Sequence, residues 1–559
     1  MTITKNHFSV YFLHLKRLLF IKSHKSYQVS TDPIVISVNG SENPKDSQKI
    51  NDESERNLSE DVDSDIVSNF TGHFGLWQFC WTFILSLFQI PAMFHIFSFT
   101  FQAYEKDYWC ARPSDGIFSG MNVSVWKNIT LQTTDSCQIV SFPFDLNQTI
   151  QGDIGSYQMT NCENFEFSQD YMGPTIVEEF NLVCDNKKFV AVVEMSYLMG
   201  AAVASVVSGW ISDKFGRRTI LMCSATLQVI IGTLIAFSNS LIMYMVLRTM
   251  MGYVSMTVAV LNCILAVELV SGKYRTLIGI LNMVPVALSY IIISSIAYFI
   301  RDWRQLQIVI SLPWSLLLLI WFCVPESPRW LLVMNKYDEL EVLIRRIAKM
   351  NNRTLPTNLR KILEASPKET DGATTSNQVN PLKIAFNSHY LKTTCLTLIT
   401  WFTLIGLYFS LTLNLSNLGG DIYVNTAVSG VMETVSILVS IFVVFKLGTR
   451  ETLIVYMLVA GIVCLATNFV AEKNIVFLGI IAKCFMGAAN AIITIFTAQQ
   501  YATHVRNFAV GLGNLAAGAA FMSVPYMWFL EDVWKNLPLT VLGVYGLIGA
   551  VALFFNKKK

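Results

Sequence analysis

The 559-residue chain is short of charge. Only 14% of its residues are Asp, Glu, Lys or Arg, against about a quarter in a soluble domain. Beside a hydrophobic share of 53%, that deficit excludes one large water-soluble core and points to a chain solvated by lipid. Net charge is scarce too: 41 basic and 39 acidic residues leave +2, so there is no electrostatic footprint for nucleic acid. No G-x-x-x-x-G-K-[ST] loop cradles nucleotide phosphates. His and Cys nowhere cluster at metal-ligand spacing, and no signature of an enzyme or a cofactor site is present. The first residues are not expected to be a cleavable leader. The apolar patch His7–Lys22 is broken by His14, Lys16 and Arg17 and has no A-x-A-like site after it, so it reads as an interfacial helix or a cytoplasmic tail. Residues 41–68 are charged and poor in apolar side chains, which predicts disorder.

What the chain has is apolar length. Segments long enough to cross a bilayer are expected at about 76–101, 189–211, 219–238, 241–268, 276–300 and 305–325. Six more are expected at about 391–415, 422–445, 451–470, 474–498, 508–530 and 536–555. The fold class this predicts is an all-α membrane protein of 12 transmembrane helices in two six-helix halves. Its parts are a largely disordered cytoplasmic extension (1–70), a first half (71–325) with a long outer loop (102–187), a cytoplasmic central loop (326–388), a second half (389–555) and a cytoplasmic tail (556–559). An even number of spans puts both termini on one side. The basic turns then share that side: Asp213–Arg218, Ser271–Arg275, the central loop, Lys446–Arg450, His504–Asn507 and Lys557–Lys559. By the positive-inside rule that side is cytoplasmic. The outer loop holds Cys110, Cys137, Cys162 and Cys184 with the glycosylation sequons at Asn122, Asn128 and Asn147, as expected of an oxidising outer face. Four cysteines allow three disulfide pairings, and all three stay open.

The turn Gly209-Trp-Ile-Ser-Asp213-Lys-Phe-Gly216-Arg217-Arg218 joins two spans. Glycine permits close helix approach there, and the Asp213 carboxylate can pair with Arg217 or with a helix end. This stretch resembles the G-x-x-x-D-[RK]-x-G-R-R loop after the second helix of major facilitator superfamily transporters. Lys446-Leu-Gly448-Thr-Arg450 holds the equivalent place in the second half, where Phe445 stands in place of the aspartate.

Further stretches are similar to the organic cation, anion and carnitine transporters of that superfamily. They are Asp107-Tyr-Trp-Cys110, Val183-Cys184-Asp185, Glu268 with Arg275-Thr276, Asp302-Trp-Arg304-Gln-Leu-Gln307 and Pro325-Glu326-Ser-Pro-Arg329-Trp-Leu-Leu332. Ser416–Gly420, Ser429-Gly430 with Glu433, and Val505-Arg506-Asn507 complete the set. The resemblance implies gating roles for Asp213, Gly216, Arg217, Arg218, Glu268, Arg275, Glu326, Arg329 and Arg506. The chain also departs from the family. Gln499-Gln500-Tyr501-Ala502-Thr503 lacks the usual carboxylate and proline. Gly518 occupies the position that is acidic in cation carriers and Arg in anion or carnitine carriers. Ala259 replaces an aromatic residue, and Glu194 replaces a glutamine.

Charged groups inside spans are costly and are functional candidates by default. Glu433 shares a helix face with Asn425, Ser429, Ser436 and Ser440, which reads as cavity lining, or as a helix–helix hydrogen bond. Lys483 lies on a face with Gly487, Asn490, Thr494 and Thr497 and can pair with Glu433 or attract an anion. Glu194 can serve as an amine's counter-ion, as a proton carrier, or as a solvated vestibule residue. Arg248, on a face with Gly252, Ser255 and Asn262, reads as a gating residue at the cytoplasmic end. The resemblance adds Trp401 and Tyr408 as aromatic pocket residues. His95 reads as a satisfied interior histidine.

The expected substrate-binding set is therefore Glu433, Glu194, Lys483, Trp401, Tyr408, Asn262 and Asn490. The expected function is secondary transport of small organic ions at the plasma membrane by alternating access. Two acids against one lysine favour an organic cation or an amine-bearing zwitterion. An organic anion or carnitine-like carrier, or a carrier-derived sensor that binds without transporting, are the alternatives. The lipid bilayer and a small organic ion are the expected partners, and the coupling ion is left open.

Overall fold

The computed structural model describes residues 66–112, 120, 122–131, 137–140, 159–168, 173–364, 388–413, 419–471, 474–501 and 503–556. Most of the N-terminal extension, Asn147, residues 365–387, Ser416 and Lys557–Lys559 lie outside the described residues.

Among the described residues, twelve helical segments are long and apolar enough to cross a membrane. Spans 1–6 run Leu76–Gln102, Cys184–Phe215, Arg217–Ile235, Leu241–Glu268, Tyr274–Phe299 and Trp303–Ile320. Spans 7–12 run Tyr390–Leu413, Ile422–Leu447, Thr449–Phe469, Ile475–Gln500, Phe508–Met527 and Leu537–Phe555. Span 6 ends earlier than the hydropathy suggests. Its second half, Leu312–Ile320, is a 3-10 helix that begins beside Pro313, a residue with no amide hydrogen to continue the α ladder.

Small residues set the packing inside the first half. A Cβ on Gly252 of span 4 would run into the Tyr197 carbonyl of span 2, and one on Gly200 into the Thr249 carbonyl. Spans 2 and 4 therefore touch backbone to backbone, the arrangement that stands in for hydrophobic driving force in lipid.

The outer loop is a small cross-linked unit. Strand β1 (Tyr108–Cys110) pairs antiparallel with β4 (Phe165–Phe167), and β2 (Gln138–Val140) with β3 (Met159–Asn161). Of the three pairings open to the four cysteines, the fold takes Cys110–Cys162 and Cys137–Cys184. Trp126 is fully buried and donates its indole N–H to the Cys110 carbonyl at 2.8 Å. Lys106 pairs with Glu178 at 2.7 Å, and Arg304, at the start of span 6, pairs with Glu179. These contacts seat the loop on the first half. Asn122 is exposed, whereas Asn128 falls within the helix Val123–Leu131.

The central segment, expected as a plain basic loop, contains helices Pro328–Val333, Tyr337–Met350 and Leu359–Glu364. The middle helix buries Leu340, Ile344, Ile347 and Ala348, an apolar stripe at three- and four-residue spacing. Asn351 fastens it to the start of span 1, accepting from Trp77 N at 3.1 Å and donating to Thr71 O and Gln78 Oε1.

The spans 2–4 contact gives a direct test. Gly252→Leu is expected to destabilise the detergent-purified protein by at least about 1–3 kcal/mol, the usual effect of overpacking. Thermal unfolding followed by fluorescence-detected gel filtration reads it; an unchanged midpoint rejects the backbone contact.

Candidate substrate site and gating cluster

The turn between spans 2 and 3 is built around Gly216. Its φ of +99° is a conformation that L side chains rarely adopt, and a Cβ there would lie 2.6 Å from Glu326 Oε2. Glu326 sits over the first turn of span 3 and accepts from Arg218 N at 3.1 Å and Ser327 N at 3.0 Å. A carboxylate so placed answers the unpaired amides and the positive end of the helix dipole. Arg217 pairs with Asp213 at 2.6 Å, approaches Glu268 to 3.3 Å and donates to Ser212 O. The Arg218 side chain donates to Trp321 O at the end of span 6, and Trp330 donates to Asp213 O. Arg275 and Arg329 converge on Val270 O. Asp213, Gly216, Arg217, Arg218, Glu268, Arg275, Glu326 and Arg329 of the expected gating set thus come together at one end of the first half, opposite the cysteine loop. The side chain of Arg506 lies outside the described ones.

The second half repeats the geometry with other partners. Gly448 has φ +93°, and Arg450 donates to the carbonyls of Leu553, Phe554 and Asn556 at the end of span 12. It does for span 12 what Arg218 does for span 6.

Charges meet at the centre. Glu433 is 1% exposed and Lys483 is 0% exposed. The Lys483 ammonium lies 3.4 Å from Glu433 Oε2 and 2.5 Å from Ser429 Oγ. Tyr408 donates to Glu433 Oε1 at 2.8 Å. On the other side of the ammonium is a residue the sequence reading missed: Tyr290 of span 5, whose ring centroid is 3.5 Å from Lys483 Nζ. Tyr290 also stacks on Phe97 at 3.8 Å. Its only sequence signal was a tyrosine beside Ser289 in an apolar helix. Gly487 makes room for the acid, since a Cβ there would lie 2.5 Å from Glu433 Oε1. Trp401 is buried and donates to Thr497 Oγ1 at 2.9 Å. Asn490 is half-buried. Asn425 does not continue the stripe inward, because it donates to Gly419 O at the helix start.

Arg248 corrects the expectation made for it. Span 4 leads from the cysteine-loop end to the Glu268 end, and Arg248 is only seven residues, about 10 Å, from its start. It therefore lies in the half nearer the cysteine loop. The difference comes from the direction in which span 4 runs. Arg248 is 1% exposed, and its guanidinium donates to His95 O at 2.8 Å and lies 4.9 Å from the Tyr197 ring and 5.1 Å from the Phe99 ring. Among the described residues no carboxylate comes within 4.0 Å of it. Glu194 is half-buried within its electrostatic reach. His95 is buried beside Gln307, and Asn262 is buried and donates to Asn282.

The halves meet at the cysteine-loop end. Tyr526 contacts Met195 Sδ at 3.0 Å, Thr100 donates to Leu413 O at 3.5 Å, and Tyr423 stacks on Phe101 at 5.4 Å. Near mid-membrane, a Cβ on Gly518 would come 3.1 Å from the Ala202 methyl, so the glycine lets span 11 approach span 2.

The two six-span halves can be set beside known proteins. Residues 150–551 match the family model described as sugar (and other) transporter. The organic cation transporter protein of Drosophila melanogaster is 30% identical over 495 residues, covering 86% of this chain and 90% of the relative. The chain belongs to the organic cation, anion and carnitine transporter family of the major facilitator superfamily. Solute carrier family 22 member 4 of Mus musculus is 30% identical over 88% of this chain and 92% of its own length. Organic cation/carnitine transporter 2 of Homo sapiens is 28% identical over 88% and 91%. The fold is also that of the proton:xylose symporter XylE bound to 6-bromo-6-deoxy-D-glucose, at a TM-score of 0.60 and 16% identity over 86% of this chain and 97% of that one. The protein is thus a multi-pass membrane transporter.

Burial moves the Glu326 carboxyl above the ordinary range, only partly opposed by the amides of Ser327, Arg218 and Arg217. A raised acid contributes stability that is complete below its unfolded pKa and is lost as pH rises through the folded one. Glu326→Gln has no such titration. Its melting temperature is therefore expected to gain on the wild type as pH rises from the ordinary glutamate pKa of about 4.3 through the raised one. A constant difference across that range contradicts the assignment.

Proposed function

We propose that this carrier moves small organic cations or amine-bearing zwitterions across the plasma membrane, by alternating access and without ATP. The observation that carries the reading is the buried Glu433 carboxylate, set among the Tyr408 hydroxyl, the Tyr290 ring and spans from both halves. A carboxylate supplies the counter-charge, and each aromatic face adds about 0.5–2 kcal/mol of cation–π attraction. The names of the relatives, organic cation and organic cation/carnitine transporters, support the same substrate class. Both termini and the Asp213–Glu326 cluster are assigned to the cytoplasm on the distribution of basic turns. The contacts at the cysteine-loop end then belong to a carrier closed to the outside.

A second reading rests on Arg248. A buried guanidinium with no acid within 4.0 Å among the described residues is a seat for a substrate carboxylate, with Glu194 beside it for an amine. That arrangement favours a zwitterion over a simple cation, or an organic anion if Glu433 proves silent.

Uptake of labelled phenyltrimethylammonium, benzoate and carnitine into cells separates these readings. Glu433→Gln is expected to lower phenyltrimethylammonium uptake at least about tenfold, with surface expression retained. Glu194→Gln is expected to weaken uptake of the amine-bearing substrates. Unchanged uptake in both variants, or uptake of benzoate alone, sinks the cation reading. Binding of all three without uptake favours a sensor.

A further inference from the structure

The cation reading places an ammonium against Glu433 and the aromatic rings, yet that place is taken. The occupant is the chain's own Lys483, with Nζ 3.5 Å from the Tyr290 ring centroid, 2.5 Å from Ser429 Oγ and 3.4 Å from Glu433 Oε2. An aromatic face, a hydroxyl and a carboxylate are the groups that hold an organic ammonium. The site is built for one cation and is full.

Charge balance limits what happens next. Lys483 is the single cation paired with Glu433 among the described residues. A substrate cation added to the intact pair leaves an uncompensated positive charge in a low-dielectric interior, which is strongly unfavourable. Loss of the substrate with Lys483 held away leaves the carboxylate uncompensated instead. Both penalties vanish if one ammonium replaces the other. Lysine suits this exchange because its point charge rides on a flexible four-carbon stem. The position matters as well. Tyr290 belongs to span 5 of the first half, whereas Lys483, Ser429 and Glu433 belong to spans 10 and 8 of the second. The lysine therefore makes the contact across the halves that a bound cation would make.

We propose that Lys483 is a tethered stand-in for the substrate, seated in the empty carrier and displaced when a cation enters. The stand-in lets the empty carrier close and return, so net transport does not require a counter-substrate. The proposal rests on the cation reading above.

Full-length protein in liposomes tests it with phenyltrimethylammonium, comparing net uptake into empty vesicles with exchange into vesicles preloaded with the same compound. Wild type is expected to show an exchange rate within about threefold of the net rate, because empty return is as easy as loaded return. Lys483→Met is expected to lower net uptake at least about tenfold more than it lowers exchange. Ser429→Ala keeps both charges and the fold but loosens the lysine's seat. It is expected to lower the half-saturating concentration in exchange by about threefold. Equal loss of both activities in a folded Lys483→Met protein overturns the proposal, as does unimpaired net uptake by that variant. If Lys483→Met does not fold, an unchanged or raised half-saturating concentration in Ser429→Ala overturns it. A wild type whose exchange exceeds net uptake more than about tenfold overturns it while leaving the cation reading intact. A wild type that carries the compound in neither assay removes the cation reading, and the stand-in with it.

Discussion

A carboxylate held in the middle of a lipid-solvated bundle must have its charge answered by the protein itself, because no water is there to do it. Glu433 sets that condition here. Tyr408 answers one oxygen and Lys483 faces the other. Gly487 withholds a side chain so that the carboxylate fits, and Ser429 and Tyr290 hold the lysine in turn. Each of these residues lies on a different turn or a different span. The acid is therefore not a local feature of span 8 but a constraint on how spans 5, 7, 8 and 10 are placed. Removing one partner of a buried pair costs about 3–5 kcal/mol, whereas replacing the pair by well-packed apolar residues is often neutral. Stability alone does not account for the pair, which fits the proposed role in handling charge.

The two halves solve the same problem at their ends with different residues. In each, a glycine at positive φ turns the chain between two spans, and an arginine two residues later caps the carbonyls at the end of the half's last span. The orphan carbonyls of a helix C-terminus are met by a cation in both cases. The first half adds Asp213, Glu268 and Glu326 around its arginines. The second has Phe445 in place of the aspartate, and its Arg450 relies on backbone oxygens. The capping role survives without the acid because carbonyls alone can satisfy a guanidinium fork.

Much of this was readable in advance. The spans followed from apolar length, and the Gly209–Arg218 turn was legible because its glycine, acid and arginines are close in sequence and act locally. Glu433 and Lys483 stood out as charges in apolar helices. Tyr290 did not, because a tyrosine in a span is ordinary and its meeting with Lys483 depends on how the two halves pack. The helix Tyr337–Met350 was overlooked although Leu340, Ile344 and Ile347 carry its periodicity; six basic residues nearby masked the stripe. The disulfide pairing depends on strand register in the outer loop, which spacing does not encode. Arg248 was placed at the wrong end because residue type carries no depth. Counting from the helix start does.

The distribution of bonds also says which motion is easy. The ion pairs and charge-assisted caps described above, Asp213–Arg217–Glu268, Glu326 on span 3 and Arg450 on span 12, lie within one half or the other. Between the halves stand glycine contacts, stacked rings and hydroxyls on carbonyls or sulfur at 3.0–3.5 Å. Packing contacts of that kind slide and re-form with little directional penalty, while charge-assisted hydrogen bonds do not. Each half is thus expected to move as a body. The exception is Lys483 on Tyr290, a cation desolvated against a ring of the other half, where attraction is strongest because water is excluded. Rocking must break that contact or carry it along. On the proposed reading, the same contact that fills the site is the one that most resists opening it, which would couple binding to motion through a single ammonium.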